Sequence, residues 1–147
     1  MEIKRLREGD NLIAQNILQN FQDGIENGDA LSSVNHLNDL LKNETCYLVA
    51  VLENNFAIGF ALAYQFPSFY SKSPAAYLYD IEVLPDHRMK GIASVLITEL
   101  HQHLKRNGVD EIWLGTAIEN IPAQRLFSST GAQKEAAAFY EYFYYLK

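Results

Sequence analysis

Cysteine is almost absent from this chain, and so are long hydrophobic runs. Cys46 is the only cysteine among 147 residues, so no intramolecular disulfide can form and no thiolate metal site is indicated. No apolar run approaches the ~20 residues that a membrane-spanning helix needs. The first residues, MEIKRLREGD, are charged and lack the apolar core of a signal peptide. We therefore expect a soluble, cytoplasmic protein with no membrane partner.

Basic residues are also scarce. The 12 lysines and arginines are outnumbered by 18 acidic residues, which gives a formal net charge of −6. A general nucleic-acid-binding protein would carry a basic face, so we expect no nucleic-acid partner. The negative charge is compatible with a cationic substrate, although it also serves solubility alone. Asp23, Glu26 and Asp29 form either part of an acidic mouth for such a substrate or a solvated loop.

The most informative stretch runs from residue 75 to residue 106. Apolar and polar side chains alternate up to Val83, which predicts a strand that ends before Pro85 because proline has no N–H to donate. Beyond Gly91, apolar residues recur every four positions and predict a helix that Asn107-Gly108 ends. The start of a helix presents unpartnered N–H groups and positive potential. A glycine at that point therefore predicts a site for phosphate or pyrophosphate.

The other segments complete one α/β domain, residues 1–147. Strands are predicted at residues 3–6, 47–52, 56–65, 111–116 and 139–146, and helices after Asp10, over about 30–41 and after Asn120. Gly59 marks a bulge or a close backbone approach. The last strand is apolar on both faces, which indicates an interior strand or the edge of a homodimer. The sum is a mixed α/β (α+β) sheet of six or seven strands with helices on both faces.

Two motifs in this chain stand in the order known from one enzyme family. The first is a strand ending in Ile81-Glu82-Val83, followed by Pro85 and by Arg88-x-x-Gly91-x-Ala93. The second is Asn120-Ile121-Pro122-Ala123-Gln124-Arg125-Leu126-Phe127, followed by Gly131-Ala132. They resemble the acetyl-CoA motif and the N-x-x-A-x-x-L-Y-x-x-x-G-F helix of the GNAT superfamily of N-acetyltransferases. The resemblance covers residues 47–147. Within the superfamily, Leu78-Tyr79-Asp80, His87-Arg88 and Gly91-Ile92-Ala93 look most like the aminoglycoside 3-N-acetyltransferase branch.

The resemblance implies an acyltransferase with a GNAT-like fold, acetyl-CoA as cosubstrate and no metal. Backbone groups of Ile81 and Val83 would bind the pantetheine arm and polarise the thioester carbonyl. The pyrophosphate would lie in a cradle of main-chain N–H groups, formed by Arg88, Met89, Lys90, Gly91, Ile92 and Ala93. Asn120 would contact the cofactor arm and would also cap its helix.

The reaction to be catalysed is aminolysis of a thioester. Alkyl amines have a pKa near 10.4 and arrive protonated, so the site must accept a proton and stabilise an oxyanion. Asp80 and Glu82 are two apart on a strand and therefore share a face, about 6.6 Å apart, with Tyr79 and Ile81 pointing the other way. One carboxylate can hold the ammonium group while the other takes its proton. The resemblance favours Asp80 for the substrate and Glu82 as the alternate base. Alternatively, one of them pairs with a nearby arginine or lysine.

One departure from the family pattern concerns the general acid. The family usually has a tyrosine that protonates the leaving thiolate, whereas this chain has Phe127. A thiol with a pKa near 8.5 leaves tolerably well, so the reaction should be slowed and not abolished. Tyr140, Tyr142 or Ser128 could supply the proton instead, and we select Tyr140. His101 and His103 are two apart on a helix and face different directions, so they do not form a metal pair.

Three functions fit these observations. The first is N-acetylation of a primary amine on a cationic small molecule, such as an aminoglycoside or a polyamine. The second is N-acetylation of a protein or peptide, which would need an open groove. The third is a non-catalytic acyl-CoA-binding module, which Phe127 suggests. The acceptor that supports acetyl-CoA turnover separates the first two, and tight CoA binding without turnover would indicate the third.

Overall fold

A single five-stranded sheet organises the chain. The computed structural model describes residues 1–21, 34–135 and 137–146. The described strands follow one another across the sheet in chain order. They are antiparallel neighbours except for the last pair, which is parallel. These strands are β1 (Glu2–Arg5), β2 (Cys46–Glu53), β3 (Phe56–Phe66), β4 (Ala75–Val83) and β5 (Glu111–Trp113). The mixed α/β class predicted from the sequence is confirmed, with five described strands where six or seven were expected.

Helices cover both faces of this sheet. They are α1 (Asn11–Asn20), α2 (Val34–Lys42), α3 (Ile92–Arg106) and α4 (Ile121–Ser129), and a short 3-10 turn spans Pro85–His87. None of the helices in the described ranges is long and apolar enough to cross a membrane. Asp23, Glu26, Asp29 and the predicted beginning of the second helix lie outside the described residues, so the acidic mouth stays a prediction.

Each face of the sheet has its own core, because β2 is buried on both sides. On one face, Val49 and Val51 pack with Leu96 and Leu100 of α3. On the other face, alternate residues of β2 and β3 pack against α1 and α2, with Leu48, Ala50, Leu52, Phe60, Ala14, Ile17, Leu37 and Leu41 buried there. We call these the α3 face and the α1/α2 face. A strand buried on both sides reads as the continuous apolar run seen in its sequence.

Gly59 is the point where α3 approaches the sheet most closely. A Cβ built there would lie 3.1 Å from Ile92 Cγ2, 3.2 Å from Leu96 Cδ1 and 3.3 Å from the backbone oxygen of Glu82. The predicted close approach at Gly59 is confirmed, and a bulge in the β2–β3 pairing lies beside it. Both helix residues are buried, so neither has free space into which it could shift.

A bulge in the pairing of β3 with β4 changes which side chains of β4 share a face. Leu62 pairs with Asp80 and Ala63 pairs with Leu78, so Tyr79 is the extra residue of β4. Its ring lies 5.7 Å from the ring of Tyr64, measured between ring centroids. The strict alternation predicted from the sequence placed Tyr79 and Asp80 on opposite faces of the sheet. This is wrong, because the extra residue breaks the period of two.

The two carboxylates of β4 share the α1/α2 face. Asp80 pairs with Leu62 and Glu82 pairs with Phe60, and both partners belong to the core of that face. Ile81 packs against the core on the opposite side, as predicted. The predicted common face of Asp80 and Glu82 is therefore confirmed.

The end of the chain differs from its prediction. Residues 137–146 carry neither helix nor strand, and their large side chains are exposed. The predicted interior strand at 139–146 is therefore wrong, and the preceding strand ends at Trp113 and not at Thr116. Aromatic residues favour strands, but a strand also needs a paired neighbour, which sequence composition cannot supply.

Gly59→Val should destabilise the fold although valine favours strands. Overpacking against Ile92, Leu96 and the backbone of Glu82 should lower the free energy of unfolding by about 1–3 kcal/mol, measured by urea denaturation. Gly115→Val is the control, because a Cβ there meets only Phe139 Cζ at 3.7 Å. The control should change stability by less than about 0.5 kcal/mol. Equal stability of the two variants would contradict the close approach.

Candidate active site

The sheet opens between β4 and β5. The last pair in their parallel ladder is Tyr77 with Trp113, whereas β4 continues to Val83. The outer edge of β4 beyond Tyr77 therefore faces no strand within the described part of the chain. Backbone N–H and C=O groups on such an edge can bind an extended ligand in the place of a neighbouring strand. This is the splayed strand end that the predicted pantetheine contacts at Ile81 and Val83 require.

The turn after β4 is tied to the end of that strand. Arg88 Nε donates a hydrogen bond to the carbonyl oxygen of Val83 at 2.9 Å, and the N–H of Leu84 donates to the carbonyl of Ile58 at 2.9 Å. Arg88 was predicted to cradle phosphate. In the structure its side chain also fixes the turn, so removing it would alter the turn as well as the charge.

The backbone between this turn and α3 has the geometry of an anion-binding loop. Met89 and Gly91 have positive φ values of 62° and 80°, on either side of Lys90. The first helical hydrogen bond runs from Val95 N to Gly91 O at 3.1 Å, so the N–H groups before Val95 precede the helical ladder. Alternating left-handed residues turn successive N–H groups towards one point, and the helix dipole adds positive potential there.

Asp80 and Glu82 are both half-buried on the α1/α2 face. Each makes an interaction within the protein, and the pairing of one of them with a basic side chain stays a prediction. Their strand runs directly into the turn that ends at Gly91. The structure therefore joins the predicted carboxylates and the predicted phosphate cradle through one continuous segment.

The residues considered for the general acid belong to α4 and to the segment 137–146. Phe127 is half-buried on α4 and packs against the core of the α3 face. Tyr140 is 87% exposed and belongs to the segment without helix or strand.

Asn120 caps α4, because its Oδ1 accepts a hydrogen bond from the N–H of Ala123 at 3.1 Å. The predicted cap is confirmed, and the cofactor contact of Asn120 stays a prediction.

Other titratable groups have structural surroundings. Cys46 is buried, and burial raises the pKa of its thiol, which makes it a poor nucleophile. His103 Nε2 lies 3.1 Å from Glu99 Oε1; burial lowers the pKa of His103 and the glutamate partly opposes this shift. Burial also lowers the pKa of His101. Across the described ranges, no group of three or more histidine, cysteine or acidic residues is placed to hold a metal ion.

Sequence analysis missed a cluster of aromatic side chains beside the carboxylates. Their ring centroids are 4.8 to 6.2 Å apart, and most neighbours meet edge to face. We call this cluster the aromatic wall: Tyr64, Phe66, Tyr77, Tyr79 and Trp113. Two tyrosines on β4 and the single tryptophan were visible in the sequence. Their contact depends on the pairing of three strands, and the bulge places Asp80 on the same face as the rings.

The chain belongs to the GNAT acetyltransferase family. The model of the acetyltransferase (GNAT) family matches residues 14–132, which includes both motifs. This confirms the superfamily predicted from the sequence and, at the level of the family, the acyltransferase class. An aminoglycoside N(6′)-acetyltransferase type 1 from Serratia marcescens is 33% identical over 81 residues. That match spans 54% of this chain and 56% of the Serratia enzyme.

Solved structures share the fold over nearly the whole chain. An aminoglycoside acetyltransferase from an uncultured soil metagenomic sample, in complex with trehalose, matches with a TM-score of 0.85 and 25% identity. The match covers 97% of this chain and 96% of that one. The same enzyme in complex with sisomicin matches with a TM-score of 0.84, 25% identity and the same coverage. A third structure, that of AAC(6′)-Iy with a bisubstrate analogue, has a TM-score of 0.77 at 21% identity. It covers 97% of each chain, and this likeness concerns the fold alone. The predicted 3-N branch is not confirmed, since the relatives whose position of attack is named are 6′ enzymes.

Proposed function

We propose that this protein is an acetyl-CoA-dependent N-acetyltransferase that acts on a primary amine of a cationic, aminoglycoside-like small molecule. The observation that carries this proposal is the open edge of β4, which has Asp80 and Glu82 on one face and leads into the turn at Gly91. Membership of the family supports acetyl transfer, and the net charge of −6 favours a cationic acceptor.

The turn fits a pyrophosphate on structural grounds. Met89 and Gly91 have positive φ values, and the N–H groups before Val95 precede the helical hydrogen bonds. Main-chain N–H groups of residues 89–93 would hold the phosphate oxygens, and Lys90 would add a charge. When bound, acetyl-CoA supplies a thioester whose carbonyl carbon accepts the amine nitrogen and whose carbon–sulfur bond then breaks.

The residues of β4 would perform the proton transfer and hold the developing charge. Asp80 would hold the ammonium group of the acceptor, and Glu82 would accept its proton, directly or through a water molecule. Backbone N–H groups on the open edge near Ile81 and Val83 would donate to the oxyanion. Tyr140 is the proposed donor of a proton to the departing thiolate.

The position of attack on an aminoglycoside is part of this proposal. The motif resemblance favoured the 3-amino group, whereas the Serratia marcescens relative is named for the 6′ position. We propose the 6′ amine, and the structure of the acetylated product, determined by NMR, decides between the two. A cytoplasmic location and a homodimer remain predictions. Turnover on peptides alone, or CoA binding without any turnover, would favour the two alternative functions.

Asp80→Asn and Glu82→Gln test the proposed carboxylates. Loss of the general base should lower kcat/KM by about 10²–10⁴-fold, whereas loss of an ammonium contact should mainly raise KM for the amine. Turnover is measured as thiol release from acetyl-CoA with aminoglycosides, polyamines and short peptides. Asp39→Asn removes an exposed carboxylate of α2 that is no part of the proposed site. It should leave kcat/KM and the KM for the amine unchanged. Unaltered activity in both β4 variants would contradict the mechanism.

Gly91→Ala and Gly108→Ala test the proposed phosphate cradle. Both glycines have positive φ, 80° and 85°, so each substitution should cost about 1–2 kcal/mol of stability. Gly108 follows the other end of α3 and serves as the matched control. Only Gly91→Ala should weaken acetyl-CoA binding, by about tenfold for one lost phosphate contact, measured by calorimetry. Equal acetyl-CoA affinity in the two variants would place the pyrophosphate elsewhere.

Tyr140→Phe tests the proposed general acid. It should lower kcat by about tenfold and leave both KM values unchanged, because a thiolate is a tolerable leaving group without an acid. Tyr142→Phe changes another exposed tyrosine of the same segment and is the matched control. Adding Phe127→Tyr should restore kcat if a hydroxyl on α4 can reach the sulfur. Full activity in Tyr140→Phe would remove this residue from the mechanism.

A further inference from the structure

Two large side chains of the aromatic wall are exposed to water beside the candidate active site. Tyr79 is 65% exposed and Trp113 is 56% exposed, although each touches other rings of the wall. Tyr64 and Phe66 are half-buried behind them on β3. A group of exposed aromatic side chains on one face marks a binding surface more often than isolated exposed residues do.

The rings of the wall are held in place by each other. Trp113 lies 4.8 Å from Tyr77 and 5.9 Å from Phe66, and Tyr79 lies 5.7 Å from Tyr64, all between ring centroids. Most of these pairs are perpendicular, which is the arrangement that the quadrupoles of the rings favour. A ligand that binds here meets rings that are already ordered, so it loses little affinity to their immobilisation.

The wall is continuous with the carboxylate face. Tyr77 pairs with Tyr64, Tyr79 contacts both of these rings, and the bulge brings Asp80 to the same side of the sheet. Tyr77 pairs with Tyr64 and Asp80 pairs with Leu62, two residues along β3, so the advance from Tyr77 to Asp80 is about 6.6 Å, close to the length of one saccharide ring. The wall extends from the carboxylates towards the beginning of β4, away from the turn that leads to Gly91.

We propose that the aromatic wall is the subsite for the non-reacting rings and ammonium groups of a polycationic amino-saccharide. This inference rests on the proposed function, since it takes the reacting amine to lie at Asp80. The C–H faces of saccharide rings and ammonium groups both carry positive charge towards the negative face of an aromatic ring. Linear polyamines offer ammonium groups without ring faces, so the wall selects amino-saccharides over them.

The single tryptophan of the chain makes the proposal testable without catalysis. Trp113 is the only tryptophan, so its fluorescence reports the wall directly. Sisomicin, a polycationic amino-saccharide, should change the emission saturably. Neutral trehalose should bind more weakly, because it lacks the ammonium groups, and the linear polyamine spermidine should bind more weakly, because it lacks the ring faces. Turnover of sisomicin and spermidine is measured in parallel.

Tyr79→Ala removes the most exposed ring of the wall and leaves the reporter in place. It should raise the Kd and the KM for sisomicin about tenfold, should raise the KM for spermidine by less than that, and should leave acetyl-CoA affinity unchanged. Tyr79→Phe keeps the ring and should behave like the original protein. Tyr70→Ala removes an exposed tyrosine from the loop before β4 and should have no effect.

The outcomes separate the wall from the proposed function. Turnover of sisomicin with an unchanged emission and no effect of Tyr79→Ala would overturn the wall and leave the enzyme activity intact. A saturable emission change without turnover would support the wall and contradict the proposed reaction. Emission that changes with protein concentration and ignores sisomicin would show a second copy of the chain covering the wall, which also overturns the proposal.

Discussion

The early end of the ladder between β4 and β5 is the feature on which the rest of the site depends. Strand pairing satisfies backbone N–H and C=O groups, and where it stops these groups need another partner. Pairing stops at Tyr77 with Trp113, while β4 continues to Val83. β4 therefore pairs with β5 over its first residues and presents an open hydrogen-bonding edge over its last residues. Arg88 holds the following turn to the end of β4 by its hydrogen bond to Val83, and α3 begins directly after that turn.

The two faces of β4 divide the structural and chemical roles between them. On the α3 face, Val83 packs with Ile92 and Leu96, and the close approach at Gly59 holds α3 against the sheet. Because that helix is held tightly, its first N–H groups keep a constant position relative to the strand. The α1/α2 face carries the carboxylates and the aromatic wall. The bulge at Tyr79 joins these two groups, since strict alternation from Tyr77 would turn Asp80 and Glu82 into the opposite core.

Family membership and individual residues support different parts of the functional argument. The match over residues 14–132 supports the fold and the acetyltransferase class. The match does not identify the acceptor amine. In this chain, Asp80, Glu82 and the aromatic wall are the groups proposed to bind it. Phe127 shows that the role of a residue cannot be carried over from the family motif alone, because its ring packs against the core and has no proton to donate. In a catalytic mechanism for this chain, either another group donates a proton to the sulfur or the thiolate departs unprotonated.

Local patterns in the sequence determined the strand before Pro85, the helix after Gly91, the cap at Asn120 and the pairing of two motifs that predicts the family. These features depend on neighbours within a few residues, so periodicity and turn chemistry are sufficient to find them. The tertiary structure alone decided that Tyr79 joins Tyr64, that β5 ends at Trp113 and that residues 139–146 form no strand. Each of these depends on hydrogen bonding between segments far apart in the chain. A bulge shifts the register and a missing partner leaves an aromatic segment unpaired, and neither event leaves a mark in the local sequence.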